Sequence, residues 1–269
     1  MLFAVDIGNT NIVAAVFDGD TVAAQWRIAT DSRRTGDEYT SILLTLCRES
    51  GIQADKIDKG IVSSVVPALI GPFVVVCQHL CKRNPYIVTS ALAYTDMLPV
   101  RLEKNSPHTE IGTDLLCNAA GAWKFFGGGP FIAVDFGTAL TLTAVDSEGI
   151  IQGVTISPGL GTAIHALATD TAQLPFVALE APASVLGFNT TTAIQAGVVL
   201  GYKGLVEFLV ARMKAELEKL TGDKACSVHV VATGGLNSVL KPLTDAFTVV
   251  DKDLTVRGLK YISDCVQQE

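Results

Sequence analysis

Apolar and polar positions fall along this chain in short blocks that set its elements. The first apolar block, Phe3-Ala4-Val5, stops at Asp6. Gly8 follows two positions on, then Asn9, Thr10 and Asn11, and the chain turns apolar again from Ile12 to Phe17. Two such runs around a Gly- and Asn-containing turn predict an antiparallel hairpin with Asp6 at its lip. Residues 21–30 predict a third strand and residues 31–36 a polar loop. A helix is expected from Asp37, with Ile42, Leu43, Leu44, Leu46 and Cys47 as apolar positions and Gly51 beyond its end. Residues 60–66 read as a buried strand stopped by Pro67, followed by a helix to about Cys81 and a strand at 86–89.

Residues 91–113 carry a weaker signal and read as a crossing loop. Gly112-Thr113-Asp114 then opens a helix through Asn118, Ala119, Ala120 and Trp123. It ends at Gly127-Gly128-Gly129-Pro130, a linker and not a phosphate loop, since no Lys-Ser/Thr follows. Next, Ile132-Ala133-Val134-Asp135-Phe136-Gly137-Thr138-Ala139 repeats the opening block. Setting Asp6 over Asp135 matches Gly8 with Gly137 and, without a gap, Ala15 and Val16 with Ala144 and Val145. A repeat of this size implies a duplicated domain and not a solenoid. Three strands followed by alternating helices and strands is a ribonuclease-H-like order. The expected fold class is therefore α/β, with duplicated ribonuclease-H-like (actin-like ATPase) domains at 1–113 and 114–269. Each would be a mixed sheet flanked by helices, with a cleft between, and the interdomain helix is counted with the second.

The second half continues with a strand ending in Ile156-Ser157-Pro158-Gly159 and a helix to about Thr171. In the polar turn at 187–192, Thr190, Thr191 or Thr192 is expected to cap a long helix ending near Leu220. Val198, Leu205, Phe208, Leu209 and Met213 recur there at helical spacing, which marks core or a subunit interface. A buried strand at 228–232 ends at Thr233-Gly234-Gly235, and a short helix, a strand at 247–250 and a last helix from Thr255 follow.

Composition narrows the function classes. The 269 residues are 49% hydrophobic, enough for a full core, and carry a formal charge of -7. An acidic chain is a poor match for nucleic acid, whose phosphates need a basic surface. The six cysteines are scattered through apolar segments and read as buried small hydrophobes in a reducing compartment. Cys77 and Cys81 flank His79, but no further ligand at a metal-site spacing accompanies them. The uncharged run 60–81 contains Ser63, Ser64, Pro67, Pro72 and Gln78, and is better read as strand, turn and helix than as a membrane span. The N-terminus has no basic leader pattern and meets Asp6 at once, so a cytoplasmic protein is expected.

The turn chemistry is that of a phosphate site. Gly8 admits a close ligand, Asn9, Thr10 and backbone N–H groups donate to phosphate oxygens, and Asp6 suits a hydrated Mg²⁺–phosphate complex. The same residues also make a plain hairpin turn. Gly234-Gly235 after a buried strand lets adenosine lie on the backbone, or is an ordinary turn. A transferase needs a base near the acceptor hydroxyl. Asp114 at its helix start is the natural candidate, its other use being a helix cap, and His108 and His165 are the alternatives. No Gly-x-Ser-x-Gly elbow, His-Glu-x-x-His pair or Gly-x-Gly-x-x-Gly fingerprint is present.

An ordered set of motifs then carries a family resemblance. Asp6-Ile7-Gly8-Asn9-Thr10-Asn11, Trp26-Arg27, Thr35-Gly36-Asp37-Glu38-Tyr39, Ser63-Ser64-Val65-Val66-Pro67, Gly112-Thr113-Asp114, Asp135-Phe136-Gly137-Thr138-Ala139, Ile156-Ser157-Pro158-Gly159, Asn189-Thr190 and Thr233-Gly234-Gly235 resemble those of type III pantothenate kinases, also described as Bvg accessory factors. The resemblance implies ATP-dependent phosphorylation of pantothenate on its primary hydroxyl, the first step towards coenzyme A. It also implies a homodimer and a monovalent cation, K⁺ or NH₄⁺. By position, Asp6, Ile7, Gly8, Asn9, Thr10, Asn11, Ile12 and Val13 would hold ATP phosphates and Mg²⁺, and Thr138 would contact ATP. Gly112, Thr113, Asp114 and Leu115 would line the pantothenate site with Asp114 as base, Thr190 would contact pantothenate, and Asp135 would bind the monovalent cation.

The family pattern Gly-x-Asp-Arg is broken here by Leu115, and the lead-in Pro107-His108-Thr109-Glu110-Ile111 is one residue longer. Leucine cannot pair with a carboxylate as arginine does. Lys104, Arg101 or His108 substitutes, pantothenate binds poorly, or the acceptor differs. A regulatory relative without catalysis, and a kinase for another small hydroxy acid, are the alternative readings.

Overall fold

The computed structural model describes residues 1–103, 110–235 and 237–266. They form two compact units, residues 1–125 with 253–269 and residues 126–252. The candidate cation Lys104 and the lead-in residues Pro107, His108 and Thr109 lie outside the described residues.

The first unit contains β1 (Leu2–Ile7), β2 (Asn11–Asp18), β3 (Thr21–Ala29), α1 (Gly36–Glu49), β4 (Lys59–Ser64), α2 (Ile70–Cys81), β5 (Tyr86–Ile87) and α3 (Thr113–Phe126). Its sheet runs β3-β2-β1-β4-β5. β1 is antiparallel to β2 and parallel to β4. The second unit repeats this with β6 (Phe131–Phe136), β7 (Ala139–Val145), β8 (Ile151–Pro158), α4 (Leu160–Thr169), α5 (Thr190–Gln195), α6 (Gly201–Thr221), β9 (His229–Thr233), α7 (Asn237–Leu240) and β10 (Val249–Val250). Its order is β10-β9-β6-β7-β8, the same succession. The duplication and the ribonuclease-H-like strand order expected from the sequence are both present. The final helix, α8 (Leu254–Val266), ends the chain but packs with the first sheet.

Strand periodicity explains where the aspartates lie. Alternate residues of a strand face opposite sides. Phe3, Val5 and Ile7 enter a core with Tyr39, Leu43, Phe73 and Val76 from α1 and α2. Asp6 therefore shares the other face with the small Ala4, the face on which α8 contacts β1. Asp6 stands beside Ser63 in the parallel register, and Asp135 stands beside Thr233 in the same way. Both partners are buried hydroxyl residues.

The ungapped match of Ala15 and Val16 with Ala144 and Val145 is off by one. Asp6 pairs with Val13, seven positions on, whereas Asp135 pairs with Thr141, six positions on. Ala15 therefore corresponds to Thr143 and Val16 to Ala144. The extra residue sits in the first turn, the one rich in Asn and Thr.

Other elements follow their local chemistry. α1 starts in a capping box, with Thr35 Oγ1 accepting from Glu38 N–H and Glu38 Oε2 accepting from Thr35 N–H at 2.7 Å. The run 60–81 is strand, turn and helix as read. The long helix is capped by Asn189 and not by a threonine, since Asn189 Oδ1 accepts from Thr192 N–H at 2.9 Å. A π-helical turn at Ala196–Leu200 separates α5 from α6. By length and composition residues 190–221 match a membrane span, yet Val199, Val206, Val210 and Leu217 enter the second core. Leu205, Leu209 and Met213 pack against that core and Phe208 is 64% exposed. Cys47, Cys77, Cys81 and Cys117 are buried as expected, while Cys226 is exposed and Cys265 half-buried.

Candidate active site

In the first unit the turn after β1 is closed by Gly8 N–H donating to the Asn11 carbonyl at 3.0 Å. Thr30 holds it from beneath, its Oγ1 donating to the Gly8 carbonyl at 2.7 Å and its N–H to the Thr10 carbonyl at 3.0 Å. Asn9 and Thr10 are exposed, Gly8 and Asn11 are half-buried, and Ile12 is buried in the core. The turn is thus a fixed platform with polar side chains facing outward. Ile7, Ile12 and Val13 serve it as strand scaffold, pairing Ile7 with Ile12 and Asp6 with Val13.

Asp114 occupies the first turn of α3, one residue after Thr113. Its Oδ1 accepts from the Leu115 N–H at 2.8 Å, so the carboxylate folds back over the helix start. Gly112 makes room for it, because a Cβ there would come 2.5 Å from Asp114 Oδ1. Burial raises the Asp114 carboxyl above its ordinary value of 3.8, and the backbone N–H groups of Leu115 and Asp114 only partly offset this. A buried carboxyl raised in this way is a candidate for proton transfer.

Cys117 lies one turn further along α3. Its buried thiol is pushed well above its ordinary value, first by burial and then by Asp6, with Asp114 adding to the effect and a hydrogen bond with Ser63 opposing it. Asp6 stands in register beside Ser63 of β4, and Ser63 Oγ donates to Thr113 Oγ1 at 3.0 Å, so the first unit brings Asp6 and the helix start that carries Asp114 to the same end of β4.

In the second unit the turn between β6 and β7 is gripped from two sides. The Thr138 carbonyl accepts from Gly159 N–H at 2.9 Å and from Thr162 Oγ1 at 2.7 Å. Gly159 lies so close that a Cβ would overlap the carbonyls of Gly137 and Thr138. On the other side Gly234, at φ +88°, packs where a Cβ would be 2.6 Å from Asp135 Oδ1 and from the Phe136 carbonyl oxygen. Glycine is required there by conformation and by contact. Gly234 and Gly235 follow β9 directly, as the sequence placed them.

Thr190 is the exposed first residue of α5. It lines a shallow depression of about 710 Å³ with Leu167, Leu174, Phe188 and Ile194. Of the other possible bases, His165 is exposed on α4 and His108 lies outside the described residues. Leu115 is buried at 7% exposure. Arg101 points its Nη1 at the Pro99 carbonyl at 3.4 Å.

Comparison with known proteins decides the family. Residues 2–212 match the family model described as type III pantothenate kinase. A type III pantothenate kinase of Rhodospirillum rubrum is 40% identical over 263 residues, covering 97% of each chain. One from Paramagnetospirillum magneticum is 40% identical over 260 residues, covering 96% of this chain and 95% of its own. This chain belongs to the type III pantothenate kinase family. Its fold also superposes on solved structures at low identity. A 2-dehydro-3-deoxygalactonokinase-like protein of Sinorhizobium meliloti gives a TM-score of 0.56 at 14% identity, over 100% of this chain and 96% of its own. A Baf-family protein of Campylobacter jejuni gives 0.55 at 17% identity, over 99% and 100%. These place the family member in the actin-like ATPase and sugar-kinase fold, with duplicated ribonuclease-H-like domains.

Ser63 and Cys117 are the residues of this site to which the sequence assigned no role. Ser63 was visible as a polar residue inside a buried strand, but only strand register sets it beside Asp6.

Proposed function

We propose that this chain transfers the γ-phosphoryl group of ATP to the primary hydroxyl of pantothenate, forming 4'-phosphopantothenate at the head of coenzyme A synthesis. The observation that carries the reading is the tie between β4 and the start of α3, where Ser63, in register beside Asp6, donates to Thr113, the residue before Asp114. It stands in a chain 40% identical, nearly end to end, to proteins named for this activity.

Asp114 takes the proton of the acceptor hydroxyl as that oxygen attacks phosphorus. Raised by burial, its carboxylate is a stronger base than a solvated one. The turn from Asp6 to Asn11 holds the phosphates through N–H groups and the side chains of Asn9 and Thr10. Among the described residues no three His, Cys, Asp or Glu side chains gather as a metal cage. A half-buried Asp6 beside an exposed polar turn fits Mg²⁺, which takes most of its oxygens from phosphate and water. When bound, that ion neutralises charge on the transferring phosphoryl group.

For the second turn, we assign Thr138 and Gly234–Gly235 to ATP and Asp135 to a monovalent cation. Asp135 is half-buried at the end of β6, and a carboxylate oxygen is the kind of donor a hard cation takes. Gly112, Leu115 and Thr190 are assigned to the pantothenate side. A homodimer is part of the proposal, supported by the exposed Phe176, Val185, Leu186 and Phe188 near Thr190. The cytoplasm is its proposed location, supported by six free cysteines. The sequence repeats are assigned to 1–113 and 114–269 by chain order.

ADP release with ATP, Mg²⁺ and K⁺ tests the reading across a panel of pantothenate and other small hydroxy acids. Pantothenate is expected to be the preferred acceptor. Folded protein that turns over another acid, and not pantothenate, would replace this reading with the altered-acceptor one.

Leu115 supplies a second prediction. Its Cγ packs near the Gly112 position, at the start of the helix that carries the base. An arginine there can bury its stem and extend its head outward. Leu115→Arg is expected to lower the pantothenate KM about tenfold, the effect of one charge-assisted hydrogen-bonded pair, with the ATP KM unchanged. An unchanged or higher pantothenate KM would place the acceptor carboxylate elsewhere.

A further inference from the structure

Ser63 and Thr113 form a hydroxyl pair that the reaction as described above does not use. Ser63 is fully buried at 0% exposure, in register beside Asp6 at the end of β4. Its Oγ–H donates to Thr113 Oγ1 at 3.0 Å. Thr113 Oγ1 donates in turn to the Ser64 carbonyl at 3.3 Å. Thr113 opens α3, and Asp114 is the next residue. The Thr113 hydroxyl is thus engaged on both its donor and acceptor sides, and both bonds run to β4 rather than to the outside.

We infer that Ser63 and Thr113 are positioning residues for phosphoryl transfer: they pin the first turn of α3 to the end of β4 and so fix Asp114 against the Asp6 turn. Neither residue touches the reacting atoms. The physical need is clear from the local geometry. Asp114 folds back onto its own helix start, so its direction is set by where that first turn lies. β4 is the strand next to β1, which ends in Ile7 just past Asp6, so a tie to β4 refers the base to the phosphate platform through one rigid sheet. Proton transfer is sensitive to misplacement on the scale of 1 Å. The inference rests on the reading of Asp114 as the base. It also changes the role of Thr113, which the family resemblance placed among the residues lining the acceptor site.

The test is steady-state kinetics on the full chain with Ser63→Ala, Thr113→Val, the double variant, Thr113→Ser and Asp114→Asn. Each of the first two is expected to lower kcat about tenfold with both KM values within about twofold, since a positioning bond acts on the transition state and not on uniform binding. The double variant should be no slower than the worse single one, because both remove the same bond. Thr113→Ser, which keeps the hydroxyl, should restore kcat to within about twofold on the same grounds. A rise in pantothenate KM with kcat intact would make Thr113 a substrate contact and overturn the inference. So would independent effects that multiply in the double variant, or a full-speed Ser63→Ala. Should Thr113→Val fail to fold, Ser63→Ala and Thr113→Ser decide. Inactive Asp114→Asn beside fully active Ser63→Ala defeats the positioning role alone, whereas active Asp114→Asn defeats the base reading beneath it.

Discussion

Asp114→Asn is expected to lower kcat by about a hundredfold or more, the range in which a positioned general base contributes. ATP affinity should change little, because the phosphate turn around Gly8 is built without Asp114. The pH profile gives an independent sign. Burial raises the Asp114 carboxyl, and a base must be unprotonated to act. Wild-type kcat/KM should therefore fall on the acid side with an apparent pKa above the ordinary carboxylate value of 3.8. In the Asn variant that limb should vanish from the residual rate.

Stability should move the other way. A raised carboxyl favours its protonated form in the fold, so its contribution is full below the unfolded pKa and is lost as pH rises through the folded one. Asparagine stays neutral throughout. The variant's Tm should thus equal or exceed the wild-type value at pH 7, with the difference closing in acid. A kcat within tenfold of wild type, on folded protein, would remove Asp114 from the base role.

The second large effect is expected at Gly258 of α8, where two helices cross. Gly258 and Gly121 of α3 face each other across the helix crossing. A Cβ on Gly258 would overlap the Cys117 carbonyl oxygen, and one on Gly121 would come 2.5 Å from the Leu254 carbonyl oxygen. Backbone cannot yield as a side chain does, so the helices must separate. Gly258→Ala is expected to destabilise the first unit by about 3 kcal/mol, the upper part of the usual overpacking range. It should also lower kcat, because the displaced helix carries Asp114. Gly71→Ala is the control. Gly71 lies near the start of α2 with nothing within 4 Å of its Cβ position, and alanine is the better helix former. Urea unfolding followed by tryptophan fluorescence checks both, since Trp26 and Trp123 belong to the first unit. Equal midpoints for the two variants would show that the crossing relaxes without cost.

These two predictions also divide what was legible in the sequence from what was not. The Asp-x-Gly turns were readable because a strand end, a glycine and small polar residues fall within a few positions of each other. Their duplication was readable because the two copies share residue types. The single extra residue in the first turn was not, since only strand pairing reveals that Asp6 meets Val13 while Asp135 meets Thr141. Asn189 was passed over as a helix cap in favour of the threonines beside it, although Asn is the stronger N-cap former.

The longer-range features left no local trace. Gly258 reads as a helix-weakening glycine until Cys117, distant in sequence, is known to press against it. Ser63 reads as an oddity in a buried strand until Thr113 is known to accept its hydrogen bond. Strand register and helix crossing are properties of the assembled sheet, and no spacing along the chain encodes them directly. Leu115 is the reverse case. Sequence alone marks it as unusual, and the structure adds that it is buried beside Asp114.

The central claim is that this chain phosphorylates pantothenate with Asp114 as base. It is tested most directly by incubating the wild type and Asp114→Asn with ATP, Mg²⁺, K⁺ and pantothenate, and analysing the product by mass spectrometry and phosphorus NMR. The expected result is a monoester on the primary hydroxyl with wild type and almost none with the variant. Folded wild-type protein that binds ATP yet forms no phosphorylated pantothenate would contradict it.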